Sequence, residues 1–273
     1  MGQKEFLARL SFTDNPFEFT NADEEEHLQS YFVPPPYFDS VWGDPDSPSS
    51  QVIFAPRGGG KSAQRRMIEY RAETQNVFAI TYDRFERLGD ARLESLSTDY
   101  HLRNIIGLAL LGFLLEFQAR AIPAPAFSNA ERQLIEALCQ QYLGRITRLE
   151  ALDAMKSLRT LSSKAKQLLR DWSGPIGSLF SAALKSHGLP GVSLTPPGTP
   201  GAAYAEGPLK VHLEELVRLI KSIGFSSVYV LIDKVDETAE TGNNAEASFL
   251  LMKPLLRDLE LLEAIAQPSA RRS

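Results

Sequence analysis

Apolar residues along this chain form short unbroken runs and longer stretches with helical spacing. The short runs, at 51–55, 77–81 and 227–232, are rich in β-branched and aromatic residues and predict buried strands. Helical spacing follows the first run over 62–74 and precedes the third over 209–223. Because a helix joins the first two runs, the pattern predicts a βαβ unit and therefore an α/β fold with a parallel sheet.

The region between the second and third runs departs from this alternation. Residues 91–188 carry mostly helical patterns and predict a helical insert. Its most apolar part, 105–115, is too short to span a bilayer and predicts a core helix. Glycine and proline dominate 189–207 and predict a loop. The predicted nucleotide-binding core consists of two segments, 51–90 and 208–265.

Residues 1–50 are predicted to form an N-terminal strap that packs on this core. The sequence YFVPPPYF within it contains three prolines, which favour an extended chain over a helix. Its aromatic side chains suit either of two roles, covering the edge of the core or forming one wall of a nucleotide base pocket. The sequence leaves both interpretations open.

A glycine-rich segment, APRGGGKSA, follows the first predicted strand and leads into the predicted helix. It fits the phosphate-loop pattern of alanine or glycine, four residues, then Gly-Lys-Ser/Thr. Glycines let successive backbone N–H groups approach a phosphate chain, and the N-terminus of the helix adds its positive dipole. The predicted nucleotide-contacting residues are Ala55, Pro56, Arg57, Gly58, Gly59, Gly60, Lys61, Ser62 and Ala63. We expect Lys61 to reach the β- and γ-phosphates and Ser62 to ligate Mg²⁺.

Acidic residues follow the third predicted strand. Asp233 comes directly after the apolar run and is the expected Mg²⁺-side carboxylate. Asp236 and Glu237 follow within one turn, and either could orient or deprotonate an attacking water. Asp83 follows the second run at a strand end, where it could face a ligand or cap a turn. The shared metal ion predicts that the first and third strands lie adjacent, or nearly so.

APRGGGKS and VLIDKVDE together resemble the Walker A and Walker B motifs of STAND/AAA-like phosphate-loop ATPases, which include NACHT-type modules. The strap sequence NPFEF…YFVPPPYF is similar to that of bacterial predicted ATPases of this group. The resemblance covers roughly residues 12–83 and 209–262. It implies a P-loop NTPase fold that binds and hydrolyses Mg-ATP. The residues that it assigns to this activity are Lys61, Ser62, Asp233 and either Asp236 or Glu237.

The sequence departs from this group in two ways. Lys234 stands where a small residue is usual, and the sequence ends where the sensor strand of the group would begin. The second departure predicts a C-terminally truncated chain. Both leave open a non-hydrolysing, nucleotide-binding regulatory module, or a fragment. A small-molecule kinase is a further alternative. A GTPase is suggested by Asp233-Lys234-Val235-Asp236, which resembles N-K-x-D, and by Asp171–Gly174, which matches D-x-x-G.

Composition and charge limit the cellular locations and partners that we expect for this protein. The net charge is −5, which gives no overall basic character for binding nucleic acid or an anionic membrane. Cys139 is the only cysteine, so no intrachain disulfide forms. Without a secretory signal pattern at the N-terminus, this predicts a cytoplasmic protein. The expected cofactors are ATP and Mg²⁺. The expected partners are the nucleotide and, through the helical insert, another protein or a second copy of the chain.

Overall fold

The computed structural model describes residues 2–11, 19, 21–47, 49–56, 58–85, 93–120, 127–144, 146–186, 207–238, 241–242 and 244–258. The chain divides into two compact units, the first of residues 1–42 and 51–68 and the second of residues 43–50 and 69–273. Helices predominate, and the described strands form one two-stranded parallel sheet. The α/β class and the parallel sheet predicted from the sequence are confirmed.

The first unit contains three short helices and the first turns of a longer one, which continues into the second unit. These helices are α1 (Gln3–Arg9), α2 (Leu28–Tyr31), α3 (Phe38–Trp42) and α4 (Lys61–Thr74). The helix predicted after the glycine-rich segment is therefore confirmed as α4. Phe38 and Trp42 are buried, and the rings of Phe32 and Phe38 meet edge to face with centroids 5.6 Å apart. Part of the predicted extended strap is thus helical.

The strand predicted at 51–55 is wrong. Residues 51–56 form no strand, and the side chains of Val52 and Phe54 are 49% and 90% exposed. A strand needs a neighbouring strand to pair its N–H and C=O groups, and an apolar run alone does not supply one. The predicted adjacency of the first and third strands therefore has no counterpart, because residues 51–55 form no strand.

The sheet of the second unit consists of β1 (Phe78–Tyr82) and β2 (Val228–Ile232). Both lie within one residue of the predicted strands. They run parallel in a register that begins at Phe78↔Val228 and ends at Tyr82↔Ile232. Every residue of β1 is buried, and the Thr160 hydroxyl donates to the Ala79 carbonyl oxygen over 2.7 Å. The next pair beyond the register, Asp83 and Asp233, therefore leaves the sheet from neighbouring strands.

The helices of the second unit surround α5, which contacts β1, α8, α9, α10 and α11. The bounds are α5 (Thr98–Ala119), α6 (Asn129–Leu138), α7 (Arg148–Ala154), α8 (Ser163–Asp171), α9 (Ile176–Ser186), α10 (Leu209–Ser222) and α11 (Ala245–Arg257). A π-helical turn (Cys139–Leu143) follows α6, and 3₁₀ turns lie at Leu93–Ser95 and Met155–Ser157. The predicted loop 189–207 falls outside the described residues except for Gly207.

The apolar run 105–115 lies inside α5, as predicted for a core helix. α5 is long and apolar enough to cross a membrane, but 67% of its most apolar window is buried inside the protein. Ser128 and Thr147 precede α6 and α7, and each forms a reciprocal capping box, with Glu131 and Glu150 respectively. The Ser162 hydroxyl caps α8, which packs on α5, by accepting the Ala165 N–H.

Two glycines in α5 provide a matched test of its packing. A Cβ atom at Gly112 would lie 2.7 Å from Cζ of Phe78 and 3.2 Å from Cδ2 of Leu158, whereas a Cβ at Gly107 would have no neighbour within 4 Å. We expect Gly112→Ala to lower the free energy of unfolding by about 1–3 kcal/mol through overpacking. Gly107→Ala should raise it by about 0.5–1 kcal/mol through helix propensity.

Urea unfolding of both variants measures the difference. Equal effects of the two substitutions would contradict the close approach of α5 to β1.

Candidate functional site

The glycine-rich turn of the first unit uses each of its three glycines. Gly58 and Gly60 have φ angles of +78° and +76°, a conformation that side chains disfavour. At Gly59 a Cβ would lie 2.9 Å from the Pro56 carbonyl oxygen, the same oxygen that accepts the Gly59 N–H over 3.0 Å. Any other residue at these positions would be strained or crowded. The turn therefore exposes a backbone surface that only glycines can form.

Lys61 is the first residue of α4. Its ammonium donates to the carbonyl oxygens of Ala55 and Pro56, over 2.9 and 3.3 Å, and so lies across the turn. The N–H groups of the first helical turn have no partner within the helix and carry its positive dipole end. Lys61, Ser62 and Ala63 occupy this turn, and Arg57 lies outside the described residues. The arrangement combines a lysine ammonium with helix N–H groups, the donors that bind phosphate.

The segments that precede the turn pack on the first turns of α4 within the first unit. The buried Arg65 guanidinium forms an ion pair with Asp23, and both side chains are less than a tenth exposed. Gln64 donates from Nε2 to the Tyr37 hydroxyl over 3.3 Å, and Tyr37 belongs to the proline-rich strap. The strap therefore contacts the helix that carries Lys61. A role of its aromatic rings in binding a nucleotide base stays a prediction.

In the second unit, Asp233 lies at the carboxyl end of β2. Its side chain is buried, and its backbone N–H donates to the Tyr82 carbonyl oxygen over 3.3 Å, which extends the sheet pairing. One carboxylate oxygen, Oδ1, accepts the N–H of Lys234 over 2.9 Å. A short turn follows, in which the Glu237 N–H donates to the Lys234 carbonyl oxygen over 3.1 Å. Asp236 and Glu237, the two candidate bases, lie in this turn, where Asp236 is half-buried and Glu237 is exposed.

Asp83, at the end of β1, has its carboxylate engaged on both sides. The Ser157 hydroxyl donates to Oδ1 over 3.0 Å, and the Lys234 ammonium lies 3.6 Å from Oδ2. The positive charge of Lys234 balances the negative charge of the Asp83 carboxylate. Asp83 is therefore engaged in contacts within the second unit, and Asp233 stays the predicted metal-side carboxylate. The sequence places Asp83 and Lys234 at strand ends, but it gives no signal for Ser157, which comes 74 residues after Asp83.

The described residues contain no group of three or more His, Cys, Asp or Glu side chains that could hold a metal ion. A Mg²⁺ ion carried by a nucleotide needs fewer protein ligands, because phosphate oxygens and water complete its shell. The side chains present at Ser62 and Asp233, a hydroxyl and a carboxylate, are of the kind that Mg²⁺ takes. Their chemistry fits a nucleotide-borne ion better than a resident metal.

A surface depression of about 480 Å³ lies elsewhere in the second unit, between α6 and α10. Its only basic side chain, Arg218, forms ion pairs with Glu131 and Glu215. The hydrogen bond from Arg218 is the main cause that lowers the pKa of the Glu131 carboxyl, so both partners are charged at neutral pH. With two carboxylates around one guanidinium, this depression does not favour an anionic ligand.

Comparisons of the chain with protein-family models, with curated proteins and with solved structures gave no match. The function therefore has to be argued from the residues of the chain.

A buried polar network beneath the carboxyl end of β1 connects it to α11. The His101 ring is fully buried, with Nε2 2.8 Å from the Leu251 carbonyl oxygen and Nδ1 3.2 Å from the Tyr82 hydroxyl. Because a carbonyl oxygen only accepts, Nε2 carries the proton and Nδ1 accepts from Tyr82. Burial lowers the pKa of His101, against a smaller opposite effect of the Leu251 hydrogen bond. His101 is thus held neutral between α5, β1 and α11.

This depressed pKa predicts a loss of stability in mild acid. His101 stays neutral in the folded protein but takes up a proton when unfolded below about pH 6.5, the ordinary value. Its contribution is present above that pH and is lost as the pH falls towards the folded-state pKa, at up to about 1.4 kcal/mol per pH unit. His101→Gln, which removes the titrating ring, should show a smaller decrease in unfolding free energy between pH 7 and 5. Urea titrations at each pH measure this decrease, and equal slopes for the two proteins would contradict the prediction.

Proposed function

We propose that this protein binds ATP through its glycine-rich turn and hydrolyses it with Mg²⁺, as a phosphate-loop ATPase of the STAND/AAA-like type. Hydrolysis would drive a conformational switch, and the protein would work in the cytoplasm. The observation that carries the proposal is the turn at 55–62. Two left-handed glycines and one sterically required glycine lead directly into α4, whose first residue is Lys61. This arrangement supports phosphate binding more than a structural turn, which does not require a lysine across it.

The side chain of Lys61 lies across the glycine-rich turn, which suggests how a phosphate would bind there. The Lys61 ammonium bonds two neutral carbonyl oxygens, of Ala55 and Pro56. A charged phosphate oxygen is a stronger acceptor than either carbonyl. Lys61 would therefore exchange these bonds for the β- and γ-phosphates of the nucleotide. The N–H groups of the first turn of α4 would bind the same phosphate chain.

The roles proposed for the second unit follow from the positions of its carboxylates. A carboxylate accepts several hydrogen bonds or metal contacts at once, so Asp233 can contact a metal ion while its Oδ1 accepts the Lys234 N–H. Asp233 would serve as a ligand on the Mg²⁺ side of the nucleotide, the role that the resemblance to phosphate-loop ATPases implies for it. Asp236 or Glu237 would orient or deprotonate the attacking water. Both lie within four residues of Asp233, which supports this assignment without choosing between them.

The GTPase alternative has little support. The D-x-x-G sequence begins at Asp171, which is the last residue of α8, whereas this motif in GTPases follows a strand. In the other motif, the Lys234 ammonium pairs with Asp83. A nucleotide-binding module that does not hydrolyse remains the main alternative. It differs from the proposal only in the absence of phosphate release.

Substitution of Lys61 tests nucleotide binding. Saturating Mg-ATP should raise the melting temperature of the unaltered protein, because at about 100 times Kd a ligand adds about 2.7 kcal/mol of stability. Lys61→Ala should abolish the shift and change stability little without ligand, since only hydrogen bonds to two carbonyl oxygens are lost. Lys253→Ala, at an exposed lysine of α11, is the matched control and should retain the shift.

Thermal denaturation with Mg-ATP, Mg-ADP and Mg-GTP measures binding, and phosphate release measures turnover. An undiminished shift in Lys61→Ala would contradict the role of the turn. A shift without phosphate release would favour the non-hydrolysing module.

A further inference from the structure

Lys234 has a backbone conformation that its side chain disfavours. Its φ angle is +58°, in the left-handed region that glycine adopts freely and lysine rarely adopts. The residue stands between Asp233 and the turn that carries Asp236 and Glu237. Strained backbone of this kind persists only where surrounding contacts hold it. The contacts of Lys234 therefore indicate what holds this conformation and which groups it orients.

The side chain of Lys234 is held from the neighbouring strand. Its ammonium lies 3.6 Å from Oδ2 of Asp83, whose Oδ1 accepts the Ser157 hydroxyl over 3.0 Å. The Asp83 side chain is 9% exposed and that of Lys234 is 26% exposed, so water screens this pair only in part. Ser157 ends the 3₁₀ turn that follows α7. The pair thus connects Lys234 to β1 and to the helical region.

The backbone of Lys234 makes two hydrogen bonds that orient the candidate site. Its N–H donates to Oδ1 of Asp233 over 2.9 Å, and its carbonyl oxygen accepts the Glu237 N–H over 3.1 Å. The N–H bond restricts the rotation of the Asp233 side chain. The carbonyl bond closes the turn that carries Asp236 and Glu237. The backbone of residue 234 is therefore bonded both to the Asp233 carboxylate and to the turn that carries Asp236 and Glu237.

We propose that Lys234 and Asp83 are positioning residues of the Asp233 site. The Asp83–Lys234 ion pair holds residue 234 in the left-handed conformation, and this conformation orients the Asp233 carboxylate, which would contact a nucleotide-borne Mg²⁺. What the site binds rests on the function proposed above. The positioning itself does not, because it concerns only contacts within the second unit. Through Ser157, a movement of the helical region would change the geometry of the metal-side carboxylate.

Glycine at position 234 separates backbone conformation from the ammonium, because glycine adopts positive φ without the help of an ion pair. The test compares Lys234→Ala, Lys234→Gly, Asp83→Asn and the double variant with Asp83→Asn and Lys234→Gly. Asp153→Asn is the matched control, since Asp153 forms ion pairs with Arg84 and Lys156. Arg84 also lies 4.0 Å from Oδ1 of Asp83, so this variant changes the charges near Asp83 but leaves both members of the Asp83–Lys234 pair in place. If the proposal holds, Asp83 is needed to keep residue 234 at positive φ when that residue is lysine, but not when it is glycine.

The first measurement needs no nucleotide. Hydrogen exchange of the residue 234 amide, followed by NMR and corrected for intrinsic rates, reports its bond to Asp233. We expect protection to fall about tenfold in Lys234→Ala and in Asp83→Asn, and to stay near the original value in Lys234→Gly, the double variant and Asp153→Asn. Unchanged protection in Lys234→Ala and Asp83→Asn would overturn the proposal.

The second measurement is the Mg²⁺ concentration that gives half-maximal thermal stabilisation at saturating ATP. It should rise about tenfold in Lys234→Ala and Asp83→Asn and less than about twofold in Lys234→Gly and the double variant. A role in stability alone would change melting temperatures and leave this Mg²⁺ dependence unaltered, which would overturn the proposal. Lys234→Gly as impaired as Lys234→Ala would also overturn it, by showing that the ammonium itself is required. If the unaltered protein shows no shift with Mg-ATP, the proposed function fails, and amide exchange alone decides the positioning role.

Discussion

Glu116 carries a buried carboxylate on α5 that accepts hydrogen bonds from Arg120 and from the backbone N–H of Ser162. The Arg120 guanidinium also donates to the Ile223 carbonyl oxygen and to the side chain of Asn76, which precedes β1. It lies 3.7 Å above the ring of Phe225, which precedes β2. The Glu116–Arg120 ion pair, whose carboxylate is buried, therefore connects the two segments that enter the strands. These contacts lie at the end of the sheet opposite to Asp83 and Asp233.

The two ends of the sheet each carry an ion pair with a buried carboxylate and a partly exposed cation. At the amino end, Glu116 is 1% exposed and Arg120 is 23% exposed, so removing Arg120 would leave a buried carboxylate, at about 3–5 kcal/mol. At the carboxyl end, Asp83 is 9% exposed and Lys234 is 26% exposed. The charged atoms of this second pair are 3.6 Å apart, against 3.1 Å in the first. Only the second pair involves a residue with left-handed backbone, which is why its proposed role is to set a conformation.

Local patterns in the sequence predicted α4, α5, β1 and β2, because each has its signal within one stretch of chain. The strand at 51–55 was wrong although Val52, Ile53 and Phe54 are all apolar, since strand formation depends on a partner that no local pattern specifies. The contacts around Asp83 could not be predicted from the sequence either. Ser157 is 74 residues away, and the positive φ of Lys234 occurs at a residue type that does not predict it. The residues of the candidate site could be identified from sequence motifs, but the contacts around them could not.

The two strands of this sheet differ in how far they are exposed to solvent. β1 is fully buried, and Thr160 covers its outer edge by donating to Ala79. In β2, by contrast, Val230 and Ile232 are 36% and 37% exposed, and among the described residues its one paired neighbour is β1. Exposed β-branched residues on an uncovered strand are a surface that proteins normally pair or protect. Among the described residues, the outer edge of β2 is therefore where a further strand could pair with this sheet.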